Sequence, residues 1–226
     1  MELKQQNTVF DYRTLRLLVG LIAFTLAPFV SLISANPLSS ISASYHTESR
    51  DLFVGLLFIV SAFLWAYNGH TIWQSRTSKI ASLAAVFVAV FPTTCPNCEI
   101  NMKSIIHYSA AVILFAILAY FCIWPFRKKL KGQKGKKGIR NKIYLSCGII
   151  MISCMLGLGI LKLTLPLEIL KKIKATYWAE AIALSAFGVA WIVAGKYIRI
   201  FVDEEDALKL LKNRKKRPHS KEFQPD

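Results

Sequence analysis

Two imidazoles and two carboxylates stand where apolar runs begin: His46 and Asp51 before the second run, His107 opening the fourth and Glu180 opening the last. Together they form a ligand set suited to zinc or a similar divalent metal. A metal held there would acidify a bound water and polarise an ester carbonyl. Without a metal, a histidine paired with a carboxylate is a general base for a hydroxyl such as that of Ser42, Ser44 or Ser109. The catalytic candidates are thus His46, Asp51, His107 and Glu180, the same four that would bind the metal. Arg50, Tyr45, Ser44 and Ser109 are the candidates for holding substrate, with Arg50 suited to an anionic head group. A structural reading competes with this one. Carboxylates are stabilised at helix N-termini, which would account for Asp51 and Glu180, and the sequence has no HxxxH or other local metal spacing.

The cysteines offer a second chemistry. Cys95-Pro96-Asn97-Cys98 has the CxxC spacing of redox centres, and the same spacing serves as a structural disulfide tightening a short loop. Thiol oxidation linked to a membrane carrier would want a second cysteine pair at the same face. Cys122, Cys147 and Cys154 lie singly in apolar runs and read as packing residues.

The elements that position these groups are apolar. Hydrophobic residues make up 54% of the 226, and most apolar runs approach the ~20 residues that cross ~30 Å of hydrocarbon. The expectation is an all-α, six-helix transmembrane bundle occupying 15–195, between a short N-terminus (1–14) and a basic tail (196–226). Its spans are placed at about 15–34, 52–67, 80–92, 105–125, 143–162 and 177–195, the third being short for a crossing. The basic lead and the small residues Ser34 and Ala35 also fit a signal peptide, although the first run is long for one. Residues 126–142 read as a basic, Gly-punctuated loop. Residues 167–177 read as an amphipathic helix with Leu170, Ile173 and Tyr177 on one face and Lys171, Lys172 and Lys174 mostly on another.

Charge orients the bundle. Six spans place both termini on one side, and of the 29 Lys and Arg all but Arg50, Lys103, Lys162, Lys171, Lys172 and Lys174 fall there. The positive-inside rule puts that side in the cytoplasm, as expected of a multi-pass inner-membrane protein. His46, Arg50, Asp51, His107 and Glu180 then share the outer face. The net charge of +16 lies mostly between spans, where topology and anionic lipid explain it. Nucleic acid is not an expected partner, since no aromatic interleaving or recognisable binding fold is present. His70 and His219 read as isolated and solvated.

Several short signatures line up: Tyr45-His46-Thr47 and Arg50-Asp51 before Phe53-Val54-Gly55, then Ile106-His107-Tyr108, then Glu180 with Ala186-Phe187-Gly188 and Trp191. The pattern resembles a bacterial six-span membrane family and, more distantly, the FRAG/DRAM/SFK group, which includes eukaryotic proteins of GPI-anchor lipid remodelling and autophagy. The resemblance implies a lipid-related role at the luminal or outer face. It also implies matching polar positions: an acid after span one, a His opening span four and a Glu opening span six. The CREST hydrolases invite comparison because they combine Ser, His and Asp with zinc, but this chain lacks their paired late-span histidines. The leading expectation is a lipid-acting hydrolase or acyltransferase with membrane lipid as its partner. The alternative is a non-catalytic lipid-binding, transport or scaffold protein.

Overall fold

The computed structural model describes residues 12–69, 71–95, 98–198 and 201, so His70, His219 and most of the basic tail lie outside the described residues. The described chain is helical throughout: α1 Tyr12–Ile33, α2 Arg50–Ala66, α3 Ile72–Val90, α4 Met102–Ile123, α5 Gly135–Thr164, α6 Leu167–Lys172 and α7 Ala175–Gly195, with a 3-10 turn at Ser42–His46. Four helices, α1, α4, α5 and α7, are long and apolar enough to cross a bilayer. Six were expected. The two that fall short do so for different reasons: α2 has 17 residues, and α3 carries Gln74, Arg76 and Lys79 in its first turns.

Local chemistry accounts for boundaries that differ from expectation. Helix α3 begins at Ile72 rather than near 80 because Thr71 caps it, its hydroxyl accepting from the Gln74 N–H at 3.3 Å. Helix α5 starts at Gly135, inside the stretch expected to be a loop. Lysine and arginine are good helix formers, so charge alone does not stop a helix. Helix α6 ends at Lys172 instead of reaching 177. Lys174, at φ 50°, then turns the chain through the left-handed region into α7. Of the expected apolar face Leu170 is buried, Tyr177 half-buried and Ile173 exposed, while Lys171 and Lys172 are exposed and Lys174 is half-buried.

The six longer helices form a closed ring in the order α1, α2, α3, α4, α5, α7, with α7 packed back against α1. The α1–α7 pair is antiparallel, and it is the tightest seam. A Cβ on Gly188 would lie 2.7 Å from the Gly20 carbonyl oxygen, and one on Gly20 would lie 2.8 Å from the Gly188 oxygen. Glycine at both positions lets the two backbones touch, the usual way helices associate where lipid removes the hydrophobic drive. The α2–α3 seam is held by hydroxyls. Ser61 Oγ donates to the Ser82 carbonyl at 3.0 Å and Ser82 Oγ to the Ser61 carbonyl at 2.8 Å, both side chains buried.

The end of the ring that holds residues 13–16 and 194–197, called the lower end here, closes on an aromatic cluster. Tyr67, Phe121, Phe126, Tyr144, Phe187 and Trp191 stack edge-on or tilted around it. Two arginines of α1 cap the end of α7. Arg13 Nε donates to the Gly195 carbonyl at 3.0 Å, Arg13 Nη2 to Lys196 at 2.6 Å, and Arg16 Nη1 to Ala194 at 3.2 Å. A helix leaves its last carbonyls unpaired and its C-terminus partly negative, so guanidinium groups are favoured there. Arg13 and Arg16, which the sequence offers only as topology signals, thus lock the first helix to the last.

Candidate functional site

At the opposite, upper end segments 34–49, 91–95 and 98–101 connect the helices, and His46, His107 and Glu180 hydrogen-bond into the first two. Glu180, in the second turn of α7, reaches out of its own helix. Its Oε2 accepts from the Ile41 N–H at 2.6 Å and the Ser42 N–H at 3.3 Å, and the Ser42 hydroxyl joins them. Those amides open the 3-10 turn, where a carboxylate supplies what the free N–H groups lack. Lys162 provides an opposing charge nearby. Two further bonds secure the same junction: the Tyr177 N–H donates to the Ser39 carbonyl at 3.1 Å, and the hydroxyls of Ser31 and Tyr177 lie 2.7 Å apart.

The histidines hold the second segment. His46 Nε2–H donates to the Thr93 carbonyl at 2.9 Å, and His107 Nδ1–H donates to the Phe91 carbonyl at 2.7 Å. A carbonyl can only accept, so the bonded nitrogen carries the proton in each ring. His107 is 1% exposed and His46 is exposed. The remaining ring nitrogen of His107, Nε2, and the hydroxyl of Thr93 are both buried without a hydrogen-bond partner. Tyr108 supports the segment from α4, accepting from the Thr94 N–H at 3.2 Å and donating to the Thr94 hydroxyl at 3.2 Å.

The remaining candidates separate. Arg50, exposed, lies over the ring of the half-buried Tyr45 at 4.7 Å and donates to its hydroxyl at 3.3 Å. Asp51 is exposed in the first turn of α2, and Ser109 is exposed on α4. Ser44 is fully buried and its hydroxyl donates to the Ile41 carbonyl at 2.6 Å. No serine hydroxyl among the described residues is bonded to a histidine, so the expected general-base pair is not formed. The expected metal shell is not assembled either: among the described residues no three of His, Cys, Asp and Glu come together to hold an ion. The reason is that three of the four proposed ligands already bond the loop main chain, while Asp51 stands apart in α2.

No protein-family model, curated protein or solved structure matches this chain.

Cys95 and Cys98 are joined in a disulfide with their Cα atoms 5.3 Å apart. It closes the turn that leads into α4, whose start is fixed by a capping box. The Asn101 side chain accepts from the Ser104 N–H at 3.0 Å, and the Ser104 hydroxyl accepts from the Asn101 N–H at 3.1 Å. By loop length alone, a cross-link over so few residues stabilises by about 2 kcal/mol. Replacing both cysteines by serine should lower stability by no more than that, read as a denaturation midpoint in detergent. A collapse of the whole bundle would mean that the loop carries far more of the fold.

Sequence reasoning missed a hydroxyl triad. Ser34 Oγ lies 2.8 Å from Ser49 Oγ and 3.1 Å from Thr47 Oγ1, which is in turn 2.9 Å from Ser49. These residues join the end of α1 to the start of α2. Glu48 accepts from the Ala35 N–H at 3.3 Å, and this bond, after one from its own main chain, holds its carboxyl below the usual range. The available signal was the density of Ser and Thr on both sides of Asn36-Pro37, since such residues satisfy main-chain groups at helix ends.

Proposed function

We propose that the chain is a non-catalytic, six-span protein of the inner membrane, a lipid-binding or scaffold module whose outer-face polar cluster is a structural latch. The observation that carries this proposal is that Glu180, His46, His107 and Ser44 each hydrogen-bond a main-chain group of the 34–49 or 91–95 segments. Side chains engaged in this way hold loops over helix ends and are poorly placed to exchange protons with a substrate. The closed ring supports six crossings, because α2 and α3 fill the gap between α1 and α4. Helix α2 is about 25 Å long at ~1.5 Å per residue, a shortfall that local thinning and interfacial side chains absorb. By the positive-inside rule, the excess of Lys and Arg in 1–16, 68–79, 126–142 and 196–226 supports a cytoplasmic location for both termini.

One observation favours the enzymatic alternative, a lipid-acting hydrolase or acyltransferase. His107 Nε2 is a buried acceptor with no partner, which is how a base awaiting a substrate proton would look.

One set of measurements separates the two and tests the orientation. The purified protein is expected to carry no stoichiometric metal, and His46→Ala and His107→Ala to lower stability while leaving cellular lipid composition unchanged. A metal or a lipid product lost in both variants would establish the enzyme. After reduction, an impermeant thiol reagent should label Cys95 and Cys98 from outside the cell. Labelling only from the cytoplasmic side would overturn the orientation.

A further inference from the structure

A second feature lies between α4 and α5, away from the His46, His107 and Glu180 side chains. It is a groove of about 380 Å³, lined by Ala116, Tyr120, Ile123, Trp124, Ile152 and Leu156 among others. That volume falls within the ~300–1,000 Å³ of ordinary small-molecule sites. Its walls are hydrocarbon and aromatic, and it runs from the middle of both helices to Trp124 at the end of α4.

The rim beyond Trp124 has the opposite character. The chain turns immediately, with the Lys128 N–H donating to the Trp124 carbonyl at 3.0 Å. Lys131 Nζ lies 4.9 Å from the centre of the Trp124 ring, over the mouth of the groove. Lys128, Lys129 and Lys131 are all exposed, and residues 126–142 contain no Asp or Glu. An apolar slot topped by lysines with no carboxylate in the same segment matches one kind of molecule: a hydrocarbon chain ending in a negative head group.

We propose that this groove binds one anionic glycerophospholipid, its acyl chain against Ala116, Ile152 and Leu156 and its phosphate among Lys128, Lys129 and Lys131. The chemistry is general. Basic residues next to spans attract anionic lipid, each Lys adding a near-constant increment, and the aromatic Trp124 sits where such rings anchor at the head-group level. The shape of the slot adds what charge alone cannot, a fixed position for one lipid. This proposal rests on the membrane-spanning reading above and gives it a ligand class.

The test uses the full chain in phosphatidylcholine nanodiscs doped with phosphatidylglycerol, released into native mass spectrometry. One phosphatidylglycerol per chain should be retained in preference to phosphatidylcholine. Lys128→Glu with Lys131→Glu should weaken that preference by about 30-fold or more, from the loss of two cation increments. Ala116→Phe, at an exposed position, should displace the lipid while leaving the surface charge intact. Equal retention of both lipids by the parent chain, or unchanged retention in the charge-reversed variant, would overturn the site without touching the membrane assignment. A dimer that Ala116→Phe dissolves would assign the groove to a second copy and overturn the lipid. Failure of the chain to insert into nanodiscs would overturn the membrane-spanning reading together with the site.

Discussion

Replacing Gly188 by leucine should prevent the ring from closing. Even a single Cβ at Gly188 would stand 2.7 Å from the Gly20 carbonyl and 2.8 Å from the Phe24 nitrogen, closer than atoms of this kind approach. The obstacles are main-chain atoms of α1, so no rotamer change relieves the clash and the helices must separate. Over-packing ordinarily costs ~1–3 kcal/mol, and a collision of one Cβ with main chain belongs in the upper part of that range. Gly188→Ala should therefore lower stability by about 2–3 kcal/mol, and Gly188→Leu by enough to lose the folded protein from detergent extracts. Gly20→Ala should act similarly, and the double variant should fall short of the sum because both mutations open one seam. Gly157→Ala is the control: a Cβ there meets nothing within 4 Å, so its stability should be unchanged or raised by up to ~1 kcal/mol through helix propensity. A Gly188→Leu protein as stable as its parent would mean that α1 and α7 do not meet in this way.

The second large effect is expected at Glu180. Its carboxylate satisfies the amides of Ile41 and Ser42 at the mouth of the 3-10 turn, and Ile41 is 2% exposed. A buried donor left without a partner costs ~1–3 kcal/mol. Glu180→Leu removes the acceptor for both amides and should destabilise the protein by about 3–5 kcal/mol. Glu180→Gln keeps a carbonyl oxygen in place and should recover at least half of that loss. Amide exchange at Ile41 and Ser42 gives the specific readout: fast in Glu180→Leu, intermediate in Glu180→Gln, slow in the parent. If exchange at both amides is the same in all three proteins, the latch is not what Glu180 does. The conservative variant also bears on the enzymatic alternative, since a catalytic carboxylate would lose its activity in Glu180→Gln while the fold survived.

The latch explains why the polar groups lie together without facing one another. His46, His107 and Ser44 donate to different main-chain carbonyls and Glu180 accepts from main-chain amides, so the groups are directed at separate partners. That arrangement suits the topology. The segment between α1 and α2 must cover the start of α7, and the one between α3 and α4 must cover the start of α4. A main-chain donor or acceptor buried under such a loop without a partner is costly. Serine, threonine, histidine and glutamate supply the missing partners.

The polar ends and apolar centres of α1, α4, α5 and α7 were legible in the sequence because partitioning into a bilayer depends on composition over about 20 adjacent residues. The pairing of Cys95 with Cys98 was legible as a candidate for a similar reason, being a contact over a few residues. The starts of α3 and α5 were misplaced, because a polar or basic first turn tolerates helix as readily as loop when the cap is right. The roles of His46, His107 and Glu180 could not be read at all from residue type. The same imidazole can hold a metal, take a proton or donate to a carbonyl, and only the position of Thr93, Phe91 and Ile41 decides among these. Those positions follow from how α1 meets α7 and how α3 meets α4, which are contacts between residues far apart in the chain. Sequence alone determined an apolar, all-helical protein with its ionisable groups mostly at or beyond the ends of the apolar runs. Tertiary structure alone decided that the cluster bonds the chain's own backbone, because hydrogen-bond partners are set by packing and not by spacing.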